Sequence, residues 1–338
     1  MKNSFLFGMM IVMLGASLLI SLALGRYEID LGTLTQLLLW KLLNIGTAPK
    51  EVMLLSNIVF DIRLPRILAV ILVGAALSVS GGAFQAMFVN PLVSPGILGV
   101  LAGASFGATL GIMISDSWFG VQLFSFTFGF VAVLVALGVA KIYGRSGSQT
   151  ILLVLGGVIS SSLFSALLST VKYVADPYNK LPTIVYWLMG SFSAVDMKTL
   201  SSVAIPLIFS TIALSLMGKY LNVLSLGDQD AKALGVHVVW VRNSAILLAT
   251  LLSTLTVVVA GMIGWVGLII PHIARFLVGA DNRVLLPMCA LLGATFLIIV
   301  DTLCRTSMSV EIPIGIATSL IGIPIFVFAL KNAKKGFA

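Results

Sequence analysis

The sequence predicts an all-α, polytopic membrane protein with ten transmembrane helices. Two compositional observations and one pattern carry that prediction. Of 338 residues, 59% are hydrophobic and 9% are charged, against about 25% charged in an ordinary soluble domain. The mean hydropathy is +1.14. The apolar residues gather in runs of about 20, the length that crosses a hydrocarbon core. A soluble core could not hide so much apolar surface, and its shell would lack the charge to stay dissolved. The composition excludes a soluble enzyme, a disordered tail and a nucleic-acid-binding domain.

Taken in order, spans are expected at residues 5–25, 65–85, 95–114, 119–141, 150–170, 201–218, 243–263, 265–280, 284–303 and 312–330. In the first run, Ala23-Leu24-Gly25 loosely resembles a signal-peptidase site. A signal core has about 7–15 apolar residues, and this run is longer, so it reads as a retained span. The eighth run is short and contains Pro271. It is tilted, broken or partly buried in protein, where irregular backbone is tolerated. Tyr186–Val195 is too short to cross and lies at the interface or dips in. Two ladders, Gly103/Gly107/Gly111 and Gly74/Ser78/Gly82, suit close helix contact, either within one subunit or at a dimer seam. The chain reads as one transmembrane domain, 1–338. Residues 26–64 form an extracytoplasmic segment, and 219–242 form the most polar stretch between spans.

Ten spans place both termini on one side. With the lysine-rich C-terminus cytoplasmic, the inner side collects 11 of the 20 basic residues and three acids, Asp228, Asp230 and Asp281. The inside then carries a net +8 and the outside none, in the direction of the positive-inside rule. Cys289 and Cys304 fall in one apolar run. On one helix they stand roughly 22 Å apart, beyond disulfide reach, and read as small buried residues.

No catalytic or metal-ligating constellation is present. His237 and His272 lack zinc-protease spacing, and there is no G-x-S-x-G elbow or phosphate-binding P-loop. His272 reads as a helix-end residue. Ion-coupled transport would need ionisable groups at mid-membrane. The deepest acid, Asp301, lies four residues before Arg305, a spacing that suits a pair on one helix face. Asp301 therefore reads as a holder of Arg305 rather than as a proton site.

The segment Leu224–Gly235 contains Ser225, Leu226, Gly227, Asp228, Asp230, Ala231, Lys232 and Leu234. Ser225 with Asp228 reads as a capping pair and Gly235 as a stop. A helix of about two turns outside the bilayer follows, exposing Ala231 and Leu234. By local physics it is either a knob for a partner protein or a solvated connector.

The motifs, in order, are Arg63-Leu64-Pro65-Arg66, Gly74-Ala75-Ala76-Leu77, Gln85, Asn90-Pro91-Leu92 and Leu98-Gly99. Trp187-Leu188-Met189-Gly190-Ser191 follows, then the Leu224–Gly235 segment and Gly261-Met262-Ile263-Gly264-Trp265-Val266-Gly267-Leu268. Pro271-His272-Ile273-Ala274-Arg275 and Glu311-Ile312-Pro313-Ile314-Gly315 complete the set. From about residue 58 to 330 the chain resembles the FecCD family. These are the permease subunits of ATP-binding-cassette importers for iron–siderophore complexes, haem and cobalamin. Trp265 stands where the family usually has Phe.

The resemblance implies a type II importer permease fold, paired with a second copy or close paralogue around a central pathway. Two ATPase subunits would bind ATP and Mg, so this chain needs no cofactor of its own. An extracytoplasmic binding protein would deliver the cargo. Ser225, Leu226, Gly227, Asp228, Ala231, Leu234 and Gly235 would form the coupling helix seated in the ATPase. Arg63, Arg66 and Arg305 would dock the binding protein, with headgroup anchoring as the alternative. Asn90 and Leu92, with Gln149 and Thr150, would form the cytoplasmic gate, and Asn90-Pro91 is equally an ordinary turn signal. The location would be a bacterial or archaeal cytoplasmic membrane. The expected cargo is a ferric siderophore, with haem, cobalamin or molybdate as alternatives. An ion-coupled secondary transporter is the rival class.

Overall fold

The computed structural model describes residues 2–115, 117–143 and 149–333. Among them every regular element is helical. The chain opens with α1 (Lys2–Ala23). The segment after it carries α2 (Leu31–Leu43), started by Asp30, whose carboxylate accepts the Thr33 N–H at 2.9 Å. Next, α3 (Val52–Ser56), a π-helical stretch (Asn57–Arg63) and α4 (Leu64–Met87) run on as one apolar helix. The wide turn ends at Pro65, which has no N–H to give a helical ladder.

Nearly all of α4 is buried, and it is the axis of the bundle. Two glycines let other helices reach it. A Cβ on Gly74 would stand 2.4 Å from the Gly293 carbonyl, and one on Gly81 would stand 1.8 Å from that of Gly267. After a 3-10 turn (Pro95–Leu98) come α5 (Val100–Ile114), α6 (Trp118–Tyr143) and α7 (Gln149–Val174). Gly103, Gly107 and Gly111 of α5 face Phe128, Phe124 and Val121 of α6. Both glycine ladders therefore serve packing inside the subunit.

The short α8 (Lys180–Leu188) occupies the Tyr186–Val195 region only in part, and a turn completes it before α9 (Met197–Leu216). Then come α10 (Gly218–Leu224), α11 (Asp228–Ala233), α12 (Val238–Ala260), α13 (Val266–Val278), α14 (Asn282–Thr306) and α15 (Ile314–Ala333). Among the described residues, seven helices are long and apolar enough to cross a bilayer. Val100–Ile114, Val266–Val278 and Ile314–Phe328 are shorter apolar helices at three further expected spans. The third and eighth are short because each begins after irregular backbone, the 3-10 turn before α5 and residues 261–265 before α13.

Irregular backbone also joins the turn after α8 to the end of α12 and the start of α15. The Ser191 N–H bonds the Ala260 carbonyl at 2.9 Å, the Ile314 N–H bonds that of Gly190 at 3.1 Å, and the Gly315 N–H bonds that of Met189 at 3.1 Å. These bonds pair backbone groups that the interrupted helices would otherwise leave open. Cys289 and Cys304 are free and buried on α14.

Candidate functional site: coupling segment, gate turn and outer ion cluster

The polar stretch between α9 and α12 folds into two short helices. Gly227 starts α11 with φ 107°, a conformation open to glycine and strained for other residues. Gly235 closes it: its N–H bonds the Lys232 carbonyl and the Val236 N–H bonds that of Ala231, each at 3.0 Å. This is a Schellman stop, with Gly235 at φ 78°. The expected Ser225 cap is corrected. Ser225 ends α10, and its hydroxyl donates to the Asn222 carbonyl at 2.7 Å. The side-chain oxygen that would cap α11 is absent because Gly227 occupies the cap position.

Ala231 is also corrected, since it is 0% exposed and packs inward. Leu226 and Leu234 stand out instead, at 59% and 62% exposure. Two polar links brace this projecting segment. The Asp228 carboxylate accepts a 2.5 Å bond from Arg242 on α12. Asn222 donates to Asp281 at 2.6 Å and accepts the Asn282 N–H at 2.8 Å, fixing α10 to the start of α14. Bonds from Arg283 and Asn222 hold the Asp281 carboxyl well below the usual carboxylate range. Local sequence reading missed Asn222, because its partners lie about 60 residues away.

At the turn after α4, the Asn90 side-chain oxygen accepts the Leu92 N–H at 2.9 Å, and the Asn90 N–H bonds the Gln85 carbonyl at 3.1 Å. Leu92 is exposed at the tip. Gln149 and Thr150 lie in the first turn of α7, and their side chains fall outside the described residues. Gly157 on α7 packs directly on the Ile97 carbonyl, so the 3-10 turn that follows (Pro95–Leu98) rests on that helix. Gln85 donates to the Leu268 carbonyl at 3.2 Å and accepts from Arg275 at 2.6 Å, joining α4 to α13.

At the opposite end, Arg63, Arg66 and Arg305 come together, but inward. They are 5%, 8% and 9% exposed. Asp301 accepts from Arg66 at 2.7 Å and from Arg305 at 3.1 Å. Glu311 takes the far side of the Arg66 guanidinium. Arg63 donates to the Ala23 carbonyl at 2.9 Å and also to that of Tyr27, while Arg305 donates to the Ser21 carbonyl at 3.1 Å. These carbonyls lie at and just beyond the C-terminal end of α1, which the two guanidinium groups satisfy. The expectation that these arginines present themselves to a partner is therefore revised. A charge at the edge of a bilayer is costly alone, and each of these finds acids or carbonyls within its own chain. Asp301 holds Arg305, as the spacing implies, and also Arg66, which the spacing cannot reveal. His272 packs edge-on to Phe276 in α13, with ring centroids 5.1 Å apart.

A bundle of interrupted helices around one buried axis, with two short helices between α9 and α12, fits a type II importer permease of the ATP-binding-cassette class. Residues 13–332 match the FecCD transport family, and the chain belongs to it. It is 42% identical over 333 residues to the molybdate import system permease protein MolB of Haemophilus influenzae, covering 98% of this chain and 96% of that one. It is 38% identical over 285 residues to a probable iron chelatin transport system permease protein of Helicobacter pylori, covering 84% and 86%. Its fold matches a solved inward-facing structure assigned to the metal-chelate type of ABC transporter. The TM-score is 0.86 at 38% identity, over 97% of this chain and 99% of that one.

Proposed function

We propose that the chain is the membrane-spanning subunit of an ATP-driven importer and works beside a second copy or a close paralogue. ATP hydrolysis would occur in two separate ATPase subunits. The observation that carries this reading is the braced projection. Leu226 and Leu234 form an apolar knob on a segment tied by Asp228–Arg242 to α12 and by Asn222–Asp281 to α14. Motion of a bound ATPase would reach two spans through short, stiff links. Leu92, with the start of α7, would close the pathway on the cytoplasmic side. An extracytoplasmic binding protein would dock on the outer face, with Arg63, Arg66 and Arg305 as the brace beneath that surface.

The cargo is a metal chelate or a metal oxyanion. The iron-chelatin relative supports a ferric siderophore. The match to the molybdate permease, at 42% identity across nearly the whole chain, supports molybdate as the second reading. The test is uptake into vesicles holding this permease, its ATPase and its binding protein. Labelled ferric siderophore, haem, cobalamin and molybdate are offered in turn, with and without ATP. ATP-dependent uptake of ferric siderophore supports the first reading, and of molybdate alone the second. Uptake that follows an ion gradient and ignores ATP overturns both.

A further inference from the structure

A groove of about 700 Å³ opens between α6, α7 and α12, toward the ends that carry Lys141 and Arg242, within the range of ligand sites, ~300–1,000 Å³. Leu134, Leu137, Leu153 and Ile246 form its walls, and Thr250 lies at its inner end. From Arg242 to Thr250 is eight residues of α12, about 12 Å of rise. That is close to the depth of one leaflet, roughly half of a 30 Å core. Leu134 and Leu247 are exposed along it, so the groove faces outward from the bundle.

Its mouth is chemically different from its walls. Lys141, Arg242 and Asn243 line the cytoplasmic end. There the groove meets a second hollow, lined by Lys232, His237 and Trp240, with Val239 and Asn243 common to both. Lys141 and Lys232 are exposed, and neither forms an ion pair among the described residues. Arg242 already engages Asp228, so the free positive charge belongs to the two lysines. Trp240 is exposed beside them, an amphipathic ring at the level where aromatic residues border membranes.

We propose that this groove binds an anionic phospholipid of the cytoplasmic leaflet. Its phosphate would sit between Lys141 and Lys232 near Asn243, and one acyl chain would lie along Leu134, Leu137 and Ile246. Basic mouths of this kind between spans select anionic headgroups, and the apolar trough supplies non-selective area. The lipid would touch α12 one turn from the Asp228–Arg242 link, beside the coupling segment. The inference rests on the membrane reading, with the Lys141 and Lys232 end cytoplasmic and the groove open to lipid; it does not need the ATPase, whose docking on α11 is a separate outcome of the test.

The test is quenching of Trp240 fluorescence by brominated phosphatidylglycerol against brominated phosphatidylcholine, in vesicles containing the full chain. Trp240→Phe supplies the background from the other tryptophans. Wild-type protein is expected to favour phosphatidylglycerol about tenfold. Lys141→Glu with Lys232→Glu should abolish that preference, and raised salt should weaken it. Leu247→Trp, measured by retention of each lipid in native mass spectrometry, should fill the trough and reduce both lipids alike. A melting curve for each variant shows that it is folded. Equal quenching by the two lipids in wild type overturns the proposal. So does an unchanged preference in the double lysine variant, as would loss of ATPase binding there in place of lipid preference, which would assign the groove to the ATPase.

Discussion

Asp301 on α14 accepts the Arg66 guanidinium of α4 at 2.7 Å across 235 residues of sequence. The same carboxylate holds Arg305, one turn along its own helix, at 3.1 Å. One acid thereby joins two spans, and Arg305 extends the connection to the end of α1 through Ser21.

Removing that acid leaves two buried guanidinium groups short of charge. In soluble proteins, breaking a buried pair costs about 3–5 kcal/mol, and removing the stranded partner recovers part of it. Asp301→Asn should lower the melting temperature of the detergent-purified protein strongly. Adding Arg66→Met should restore part of the loss. An Asp301→Asn protein that melts like wild type and loses only ion-gradient-driven uptake would return Asp301 to a proton-site role.

The glycine contacts on α4 predict a graded series. Gly81→Ala would drive a methyl into the Gly267 backbone, and overpacking of this kind costs about 1–3 kcal/mol or more. Gly82→Ala meets the movable end of Leu286, and Gly138→Ala meets nothing within 4 Å. Thermal melting should therefore fall most for Gly81→Ala, less for Gly82→Ala and least for Gly138→Ala. Equal melting for the three would contradict the packing.

The Asp281 carboxyl is held below its ordinary value by Arg283 and Asn222. Its stabilising contribution is full above the unfolded carboxylate pKa, about 3.9. It is lost as pH falls through the lower folded value. Asp281→Asn should thus melt below wild type by a constant margin at pH 6–8, and the margin should shrink as the pH drops below about 4. A margin that grows toward acid pH would show that the carboxylate is not the stabilising species.

Much of the fold is legible in the sequence because bilayer thickness dictates it. The long apolar runs correspond to long helices, and α11 (Asp228–Ala233) falls within the Leu224–Gly235 segment where the sequence predicts a short helix. The misreadings are tertiary. The capping role expected of Ser225 failed because Gly227 takes the cap position, and Ala231 is buried because α10 and α12 pack around α11. The burial of Arg63, Arg66 and Arg305 depends on partners far along the chain. One signal was present: an acid inside an apolar span needs a partner, and Arg66 and Glu311 lie at the same membrane edge.

In the importer reading, a separate ATPase drives this chain through the exposed Leu226 and Leu234. The most direct measurement is of ATP hydrolysis and cargo uptake in the same reconstituted vesicles, for wild type and for Leu226→Ser with Leu234→Ser. Both side chains are exposed, so the variant should fold and melt like wild type. Wild-type uptake should require ATP, and the variant should lose most uptake per ATP hydrolysed, about tenfold or more. Undiminished uptake in the variant, or wild-type uptake that proceeds without ATP, would contradict the account.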